Sequence, residues 1–379
     1  MRSRKRVLAL FGTRPEVIKL APVIRALAAR PERFEVRCVN TGQHGDLARP
    51  IAETLGLQID QDLRIASARQ TPLTVAHRVL AGLQPLLERE TPAVMLVQGD
   101  TTTALAGALA GFYEKIPVGH VEAGMRSGDR DSPFPEELNR RLISQLATFH
   151  FAATERNERA LLAEGVPGGR VVVSGNPVVD SVRFALAQRE PSETLRALLA
   201  RVEGLRLLVV TTHRRESFGP VMAARLRVLH RFVETHRDVA LVFPVHPNPE
   251  VRTPALRELG DTERVHLVDP LGYLDFVHLL SRAWLVASDS GGVQEEAPSL
   301  GVPVLVMRDN TERPEAIDAG VARLIGRDAG ALETALAECA APGSWTEQVA
   351  EIPNPFGSGD SGVRIADALA RLLDDDAFA

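Results

Sequence analysis

The residue types that point most directly to chemistry lie in the segment Ser288–Glu296, which reads Ser-Asp-Ser-Gly-Gly-Val-Gln-Glu-Glu. The segment follows the apolar run Trp284–Ala287, and this order predicts a buried strand, a turn of small residues and the start of a helix. Because Gly291 and Gly292 have no Cβ, their backbone N–H groups can approach a ligand closely, and a helix N-terminus binds phosphate. Glu296, one turn further on, is placed to accept hydrogen bonds from a ribose diol. The segment therefore predicts a nucleoside diphosphate site, and the alternative is an ordinary capped helix.

Cations and carboxylates also follow predicted strands in the first half of the chain. Arg14 and Lys19 place two positive charges at the start of a helix. They oppose the helix dipole there, so an anionic ligand explains them better than folding does. Asp100, Glu122 and Glu136 follow three further elements, and each alone could be a helix cap or a dipole partner. Three carboxylates from separate elements of one domain favour general acid–base chemistry.

The second half of the chain offers further groups that can bind an anion. His213 follows a predicted strand and precedes Arg214 and Arg215, so this strand end carries three phosphate donors. Arg313 lies in the mixed-charge cluster Arg308–Glu315, which is either part of an anion site or a solvated face. These groups agree with a diphosphate ligand in this half.

Composition excludes several classes of protein. The net charge of −5 over 379 residues argues against a nucleic-acid partner. No apolar run reaches the roughly 20 residues of a membrane-spanning helix. Two distant cysteines, Cys38 and Cys339, indicate a reducing compartment, so we expect a cytoplasmic protein. No Gly-x-Gly-x-x-Gly follows a strand, and neither His-Glu-x-x-His nor paired Cys-x-x-Cys occurs, so we expect no cofactor and no metal site.

Two series of alternating strands and helices must position these groups. The first runs from Val7–Phe11 to Val171–Ser174 and the second from Leu207–Thr211 to Ala322–Ile325, with one helical stretch from Pro177 to about Val202 between them. Near-continuous apolar strands that alternate with helices are typical of parallel sheets covered on both faces. The predicted fold is α/β, with two doubly wound, Rossmann-like domains facing across a cleft.

The domain boundaries follow from the same alternation. We expect an N-terminal domain at residues 1–175, which carries the carboxylates, and a C-terminal domain at residues 176–360, which carries the diphosphate site. A Gly- and Pro-rich loop precedes a final amphipathic helix, Val363–Leu373. Residues 361–379 are expected to return to the N-terminal domain.

Seven motifs, in order and spacing over roughly residues 6–372, resemble the non-hydrolysing UDP-N-acetylglucosamine 2-epimerases. The motifs are Gly12-Thr13-Arg14-Pro15-Glu16, Gly99-Asp100-Thr101-Thr102, His120-Val121-Glu122-Ala123-Gly124, Pro135-Glu136-Glu137, His213-Arg214-Arg215-Glu216, Asp289-Ser290-Gly291-Gly292-Val293-Gln294-Glu295-Glu296 and Thr311-Glu312-Arg313-Pro314-Glu315. Each motif alone is a weak signal, whereas seven in register are highly specific.

The resemblance implies a GT-B-like fold with UDP in the interdomain cleft and reversible conversion of UDP-N-acetylglucosamine to UDP-N-acetylmannosamine. It also implies a homodimer that supplies N-acetylmannosamine units for cell-envelope polysaccharide, with a UDP-sugar as substrate and neither nucleic acid nor membrane as partner. By the same resemblance, the nucleotide is bound by Arg14, His213, Phe276, Ser290, Gly291, Gly292, Glu296 and Arg313. The sugar is surrounded by Lys19, Asp100, Glu122 and Glu136. The expected catalytic residues are Asp100, Glu122, Glu136 and His213.

The chemistry of such a reaction requires no cofactor. The C2 proton of the sugar is not acidic, but C2 neighbours the anomeric carbon that carries UDP. Removing the C2 proton while the C1–O bond breaks expels UDP as a stabilised anion and leaves a 2-acetamidoglucal. UDP then re-adds as a proton returns to the opposite face. This route needs cations beside the diphosphate and carboxylates around the sugar ring. The sequence does not indicate which carboxylate takes the proton and which returns it.

Some bacterial members of the family hold a second, activating UDP-N-acetylglucosamine, partly through a Thr-Gly-Gln-His-Arg segment. This chain has Thr41–His44 followed by Gly45 in place of the arginine. The candidate residues for such a regulatory site are Gln43, His44 and Arg69.

Four other functions compete with this interpretation. A GT-B glycosyltransferase would need an acceptor groove, usually rich in aromatic residues, and this chain is only 4% aromatic. A hydrolysing epimerase would release the free sugar, and an epimerase of a modified UDP-N-acetylhexosamine derivative would share most motifs. A UDP-sugar sensor would keep Ser290–Glu296 but has no need for three carboxylates in the other domain.

Overall fold

The computed structural model describes residues 4–374, apart from residues 69, 189 and 261. It divides into two compact units. Unit 1 comprises the described residues up to Phe184 and from Phe356 onward, and unit 2 comprises Ala185–Pro355. The sequence analysis placed the boundaries at residues 175 and 360. In the structure, Asn176 and the first turns of the helix Pro177–Gln188 belong to unit 1. Asn176 donates to the Glu122 carboxylate and Ser181 donates to the Ile18 carbonyl, both in that unit.

Unit 1 is built on a seven-stranded sheet in which every paired strand is parallel, in the order β3-β2-β1-β4-β5-β6-β7. Its elements, in chain order, are β1 (Lys5–Phe11), α1 (Arg14–Ala28), β2 (Phe34–Asn40), α2 (Ala48–Thr54), β3 (Gln61–Asp62), α3 (Pro72–Glu90), β4 (Val94–Gln98), α4 (Thr102–Tyr113), β5 (Val118–Ala123), α5 (Glu136–Leu146), β6 (Phe149–Ala152), α6 (Glu155–Ala163), β7 (Val171–Val173) and α7 (Pro177–Gln188).

Unit 2 is built on a six-stranded parallel sheet in the order β10-β9-β8-β11-β12-β13. Its elements are α8 (Glu193–Arg201), β8 (Arg206–Thr211), α9 (Pro220–Thr235), β9 (Val239–Pro244), α10 (Pro249–Leu259), β10 (Val265–Val268), α11 (Tyr273–Leu280), β11 (Leu285–Ser288), α12 (Val293–Glu296), β12 (Val304–Val306), α13 (Pro314–Asp318), β13 (Ala322–Leu324) and α14 (Ala329–Ala340). The α/β class with two doubly wound sheets is therefore confirmed.

The helical stretch expected from Pro177 to about Val202 is present as two helices, α7 and α8. Ser192 separates them, since its hydroxyl accepts a hydrogen bond from the backbone N–H of Leu195 and caps α8. Pro191 directly precedes that cap, where its ring and missing N–H disfavour a continuing helix.

The last helix, α15 (Ser361–Leu372), belongs to unit 1 and packs against α1. Its apolar face is fully buried, and its N-terminus is held by Asp180 of α7, whose carboxylate accepts the backbone N–H groups of Ser361 at 3.2 Å and Gly362 at 2.9 Å. An ion pair of 2.7 Å joins Arg30, just after α1, to Asp367. These contacts make α15 an integral part of unit 1.

No helix in the described part of the chain is long and apolar enough to cross a membrane.

Candidate active site

The strand order places one topological switch point in each sheet, and such points are where open α/β sheets bind ligands. In unit 1 the switch lies between β1 and β4, and in unit 2 it lies between β8 and β11. The loops that follow these strands carry Asp100, His213, Ser290 and Gly291, and Arg14 begins the helix after β1. The order of the strands thus brings together groups that are far apart in sequence.

Glu122 lies inside strand β5, whereas the sequence analysis placed it where the strand ends and a loop opens. The pairing of β5 with β6 shifts register between Val121 and Ala123, and Glu122 itself has φ of +64°. A residue other than glycine in this left-handed region is strained by roughly 1–3 kcal/mol and persists only where its surroundings enforce it. The irregularity re-aims the Glu122 side chain, as bulges near functional sites do.

The Glu122 carboxylate is buried and receives three donors. Lys19 of α1 forms an ion pair with it, Gln98 at the end of β4 donates to Oε2, and the Asn176 side-chain amide donates to Oε1 at 2.9 Å. Lys19 is itself only 6% exposed. The positive charge expected at the start of α1 is therefore matched by a carboxylate in the same unit.

Asp100, just after β4, is more accessible than Glu122, since a quarter (25%) of its side chain is exposed. The guanidinium of Arg140 donates to Oδ2 from Nε and Nη2, each at 2.7 Å, and Asn139 donates to the Asp100 carbonyl at 2.8 Å. Within the described part of the chain, Oδ1 receives no hydrogen bond. Asp100 thus has one anchored oxygen and one oxygen open to a ligand.

Glu136, the third candidate carboxylate, is the half-buried first residue of α5. It lies one helical turn before Arg140, which binds Asp100, so the two residues share a helix face. Arg140 also donates to Glu137 at 2.8 Å, and this ion pair fixes the guanidinium. Helix α5 therefore links two of the predicted catalytic carboxylates.

Glu16 is a buried carboxyl group that joins the two loops at the switch point of unit 1. It accepts the backbone N–H groups of Gly12 and Thr13, each at 2.8 Å, and the hydroxyl of Thr101. Burial raises the pKa of Glu16 to about 7, although these hydrogen bonds act to lower it. The loop between β1 and α1 and the loop that carries Asp100 are thus connected through a titratable group.

This pKa predicts that the stability of unit 1 depends on pH through Glu16. Between its ordinary value of 4.5 and about 7, the folded state holds a proton that the unfolded state has lost. Stability therefore falls as pH rises through this window, by an amount on the order of 3 kcal/mol. Glutamine does not titrate, so the stability of Glu16→Gln should lack this pH dependence. In urea unfolding at several pH values, wild type should lose that much stability relative to Glu16→Gln as the pH rises through the window.

The matched control is Thr101→Ser, which keeps the hydroxyl that donates to Glu16. It should preserve the pH dependence of wild type. A stability difference between wild type and Glu16→Gln that stays constant from pH 4 to pH 8 would contradict the raised pKa.

In unit 2, the loop after β8 is organised by the fully buried Asp289, which follows β11. The Asp289 carboxylate accepts hydrogen bonds from the hydroxyl of Thr212 at 2.7 Å and from the backbone N–H groups of His213 and Arg214 at 3.1 Å. Its Oδ1 also lies 3.4 Å from Nδ1 of His213. Burial lowers the pKa of His213, although the charge of Asp289 opposes that shift.

The helix expected after Ser290 is a single turn, α12, followed by a 3₁₀ turn at Pro298–Leu300. Its N-cap is Gly292, and no side chain caps it, so the alternative of a helix capped by aspartate or serine is wrong. A helix of one turn has a small dipole, so helix-end charge contributes little there. Positive charge at this turn comes instead from Arg313.

Arg313 is buried beside Gly291 and is held by two carboxylates. Its Nε donates to Glu295 at 2.6 Å, and Nη1 lies 3.4 Å from Glu312. Burial acts to raise the pKa of Glu312, but the hydrogen bond from Arg308 and the charges of Arg313 and Arg308 lower it to about 2. The guanidinium is therefore held by Glu295 and by an ionised Glu312.

This packing predicts that Gly291→Ala weakens UDP binding by displacing Arg313. An added Cβ would lie 2.7 Å from Nη1 of Arg313, so the guanidinium would have to move. We expect about a tenfold loss of UDP affinity, equivalent to about 1.4 kcal/mol, in calorimetric titration. The matched control is Gly169→Ala in unit 1, where an added Cβ meets no atom of the described residues within 4 Å. Equal losses in the two variants would mean that Arg313 is not the reason.

The remaining predicted nucleotide contacts lie at separate places in their units. Arg14 is the half-buried first residue of α1, and Ser290 precedes the glycines, with its backbone N–H bonded to Ser288 at 2.9 Å. Glu296 is buried in α12, and Phe276 is half-buried on α11. In the described residues, the Phe276 ring makes no stacking contact with another candidate residue.

The candidate regulatory residues are placed only in part. Gln43 lies next to the switch point of unit 1. Its side-chain oxygen Oε1 accepts hydrogen bonds from the backbone N–H of Thr103 at 3.2 Å and from the Thr103 hydroxyl at 2.8 Å. His44 is exposed, and its pKa is lowered by partial burial and by the charge of Arg14. Arg69 lies outside the described residues, so the proposed group stays a prediction.

Sequence reasoning missed several residues that hold this site. Gln98, Asn176 and Arg140 all bind predicted catalytic carboxylates, and Glu16 and Asp289 hold the loops. Glu16 and Asp289 stand inside motifs that had already been singled out, and Gln98 directly precedes another. Asn176 and Arg140 lie outside the motifs, and the partners of all five residues depend on the fold.

Within the described residues, no group of three or more His, Cys, Asp or Glu side chains is arranged to hold a metal ion.

Comparison with known proteins gives one consistent result. A family model described as UDP-N-acetylglucosamine 2-epimerase matches residues 25–370. A UDP-N-acetylglucosamine 2-epimerase of Escherichia coli O157:H7 is 45% identical over 369 residues, which cover 96% of this chain and 98% of that protein. The crystal structure of a putative UDP-N-acetylglucosamine 2-epimerase from Listeria monocytogenes is 39% identical, with a TM-score of 0.89 and coverage of 99% and 98%. The Neisseria meningitidis UDP-GlcNAc 2-epimerase bound to UDP-GlcNAc is 38% identical, with a TM-score of 0.90 and coverage of 97% and 100%.

Proposed function

The chain belongs to the UDP-N-acetylglucosamine 2-epimerase family and is an isomerase of that kind, and we propose that it converts UDP-N-acetylglucosamine to UDP-N-acetylmannosamine by eliminating and re-adding UDP. Support comes from the chemistry available in each unit. Unit 2 offers a glycine turn and a fixed guanidinium for a diphosphate, and unit 1 offers carboxylates for proton transfer.

The observation that carries the proposal is the contrast between Asp100 and Glu122. The Glu122 carboxylate is buried and is contacted by the side chains of Lys19, Gln98 and Asn176. Asp100, in contrast, has one oxygen held by Arg140 and one oxygen without a hydrogen bond in the described structure. A general base needs an accessible oxygen within reach of the proton that it removes. We therefore assign Asp100 as a carboxylate that exchanges the C2 proton, and Glu122 as the group that orients Lys19.

The proposed reaction balances without a cofactor. Asp100 takes the C2 proton, the electrons of the C2–H bond form the C1–C2 double bond, and the C1–O bond breaks with its electron pair moving to UDP. Arg313 and His213 would stabilise the charge that develops on the departing diphosphate. UDP then re-adds to C1 as a proton arrives on the opposite face of C2, for which Glu136 is the proposed donor.

The cellular role is proposed on the resemblance to the family. The product would supply N-acetylmannosamine units for cell-envelope polysaccharide. The free, buried cysteines Cys38 and Cys339 support a reducing, cytoplasmic location. The homodimer that the resemblance implies stays a prediction.

The test is proton NMR of UDP-N-acetylglucosamine incubated with the pure protein in D₂O, without metal or nicotinamide. We expect a UDP-N-acetylmannosamine signal and deuterium at C2 of both sugars, because the proton that returns comes from solvent. Epimerisation without deuterium would contradict elimination with solvent exchange. Free N-acetylmannosamine would indicate a hydrolysing enzyme, and no new sugar would indicate a sensor or an acceptor-dependent transferase.

A further inference from the structure

We infer that Asp289 is a positioning residue for His213, which it holds with a protonated Nδ1 facing the carboxylate and with Nε2 facing the ligand. The inference rests on the proposed function, in which His213 contacts the diphosphate of the UDP-sugar. It gives Asp289 a role different from capping the helix that follows it.

The sheet topology explains why a residue after β11 can act on a residue after β8. These strands are neighbours at the switch point of unit 2, and Ser288 pairs in register with Thr211. Asp289 and His213 therefore leave the same edge of the sheet side by side. The hydroxyls of Ser288 and Thr211, 2.6 Å apart, tie the two strand ends together directly before them.

The hydrogen bonds of Asp289 define how its two oxygens are used. Oδ2 accepts the hydroxyls of Thr212 at 2.7 Å and Ser217 at 3.1 Å, together with the backbone N–H of Arg214 at 3.1 Å. The backbone N–H of His213 donates to both oxygens, at 3.1 Å to Oδ1 and 3.2 Å to Oδ2, and Oδ1 is the oxygen nearer Nδ1 of the same residue, at 3.4 Å. The carboxylate is fully buried, so it is a fixed acceptor.

A fixed acceptor beside Nδ1 selects the tautomer of the ring. The neutral imidazole carries its proton on Nδ1 or on Nε2, and the partner of one nitrogen decides the state of the other. Oδ1 lies 3.4 Å from Nδ1, so a proton on Nδ1 would face the carboxylate, while Nε2 lies on the far edge of a ring whose side chain is 45% exposed. Nε2 is then free to accept a proton or a hydrogen bond from the ligand.

In the described part of the chain, Asp289 is the carboxylate that lies within ion-pair distance of His213. The ring of His246 is stacked near it, with centroids 6.1 Å apart, and Arg214 is a cation that disfavours the charged imidazole. Asp289 is the group whose charge favours the imidazolium. It can therefore both orient the ring and stabilise a proton that arrives on Nε2.

The first test is NMR of the full chain labelled with ¹⁵N at histidine, in which ring nitrogen shifts report the tautomer. The signals of His213 are identified among the ten histidines by their loss in His213→Gln. We expect the Nδ1–H tautomer in the wild-type protein without ligand. An Nε2–H tautomer there would overturn the inference without any further variant.

The second test compares Asp289→Asn with Thr212→Val. Thr212→Val removes a hydroxyl donor to the carboxylate but keeps its charge, so it should preserve the tautomer. Asp289→Asn should shift His213 away from the Nδ1–H form and lower kcat by about 10- to 100-fold, the usual effect of losing a partner that orients a functional imidazole. In a His213→Asn background, Asp289→Asn should add little to the loss. A full additional loss in that background would mean that Asp289 acts independently of His213.

The two readouts separate this inference from the proposed function. The tautomer is measured without substrate, so it holds or fails whatever reaction the protein catalyses. A retained Nδ1–H tautomer in folded Asp289→Asn would overturn the inference even if epimerisation is demonstrated.

Discussion

Asp100→Asn is expected to lower the rate of epimerisation by roughly 10²- to 10⁴-fold, the range that a positioned general base contributes. UDP binding should stay within twofold of wild type, because the diphosphate groups that we assign to binding lie in unit 2. Asparagine has the size of aspartate, and its oxygen can still accept the Arg140 guanidinium that now binds Oδ2. What it loses is the basic oxygen.

The measurement is the initial rate of UDP-N-acetylmannosamine formation by NMR, together with calorimetric titration of UDP. The matched control is Asp269→Asn in unit 2, where 86% of the side chain is exposed and its partner is the surface residue Arg252. Normal turnover by Asp100→Asn would show that Asp100 is not a required base. A parallel loss of UDP affinity would show a structural effect.

Glu122→Gln is expected to abolish most of the activity and also to lower the free energy of unfolding of unit 1 by about 3–5 kcal/mol, the usual effect of breaking a buried ion pair. The Lys19 ammonium would remain buried without its carboxylate. The new amide nitrogen would also face donors, because both oxygens of Glu122 now accept hydrogen bonds, from Asn176 and from Gln98.

Urea unfolding and the epimerisation assay check this prediction together. Glu88→Gln, an exposed change on α3, is the matched control. The double variant Lys19→Met with Glu122→Gln should recover part of the stability, since it removes both members of the pair, and should recover no activity. Recovered activity would mean that the pair only supports the fold.

The fold could be predicted because its strands are buried on both faces. Such strands read as short apolar runs, and both units consist of them. β3 escaped prediction because two residues, Gln61 and Asp62, carry no apolar pattern. The helical stretch between the two series was predicted, but its division into α7 and α8 depends on the local cap that Ser192 provides for α8.

The candidate site could be predicted as a set of positions but not as a set of contacts. Asp100 lies just after β4 and Glu122 is the last but one residue of β5, so both are near the carboxyl ends of strands, where α/β sheets carry function. Their partners depend on long-range geometry, however, since Lys19 and Glu122 are 103 residues apart. The left-handed backbone at Glu122 has no local signature either, because it arises from the shift of register between β5 and β6.

Because α15 belongs to unit 1, the order of synthesis on the ribosome differs from the order of folding. Unit 2 is one continuous stretch and can complete its core as soon as Pro355 has emerged. Unit 1 is synthesised first but cannot complete its core until the last helix has emerged. Gly362 of that helix packs closely against α1, since an added Cβ would lie 2.6 Å from the carbonyl oxygen of Pro22. A premature stop codon before Ser361 would therefore damage the half of the protein that was translated first.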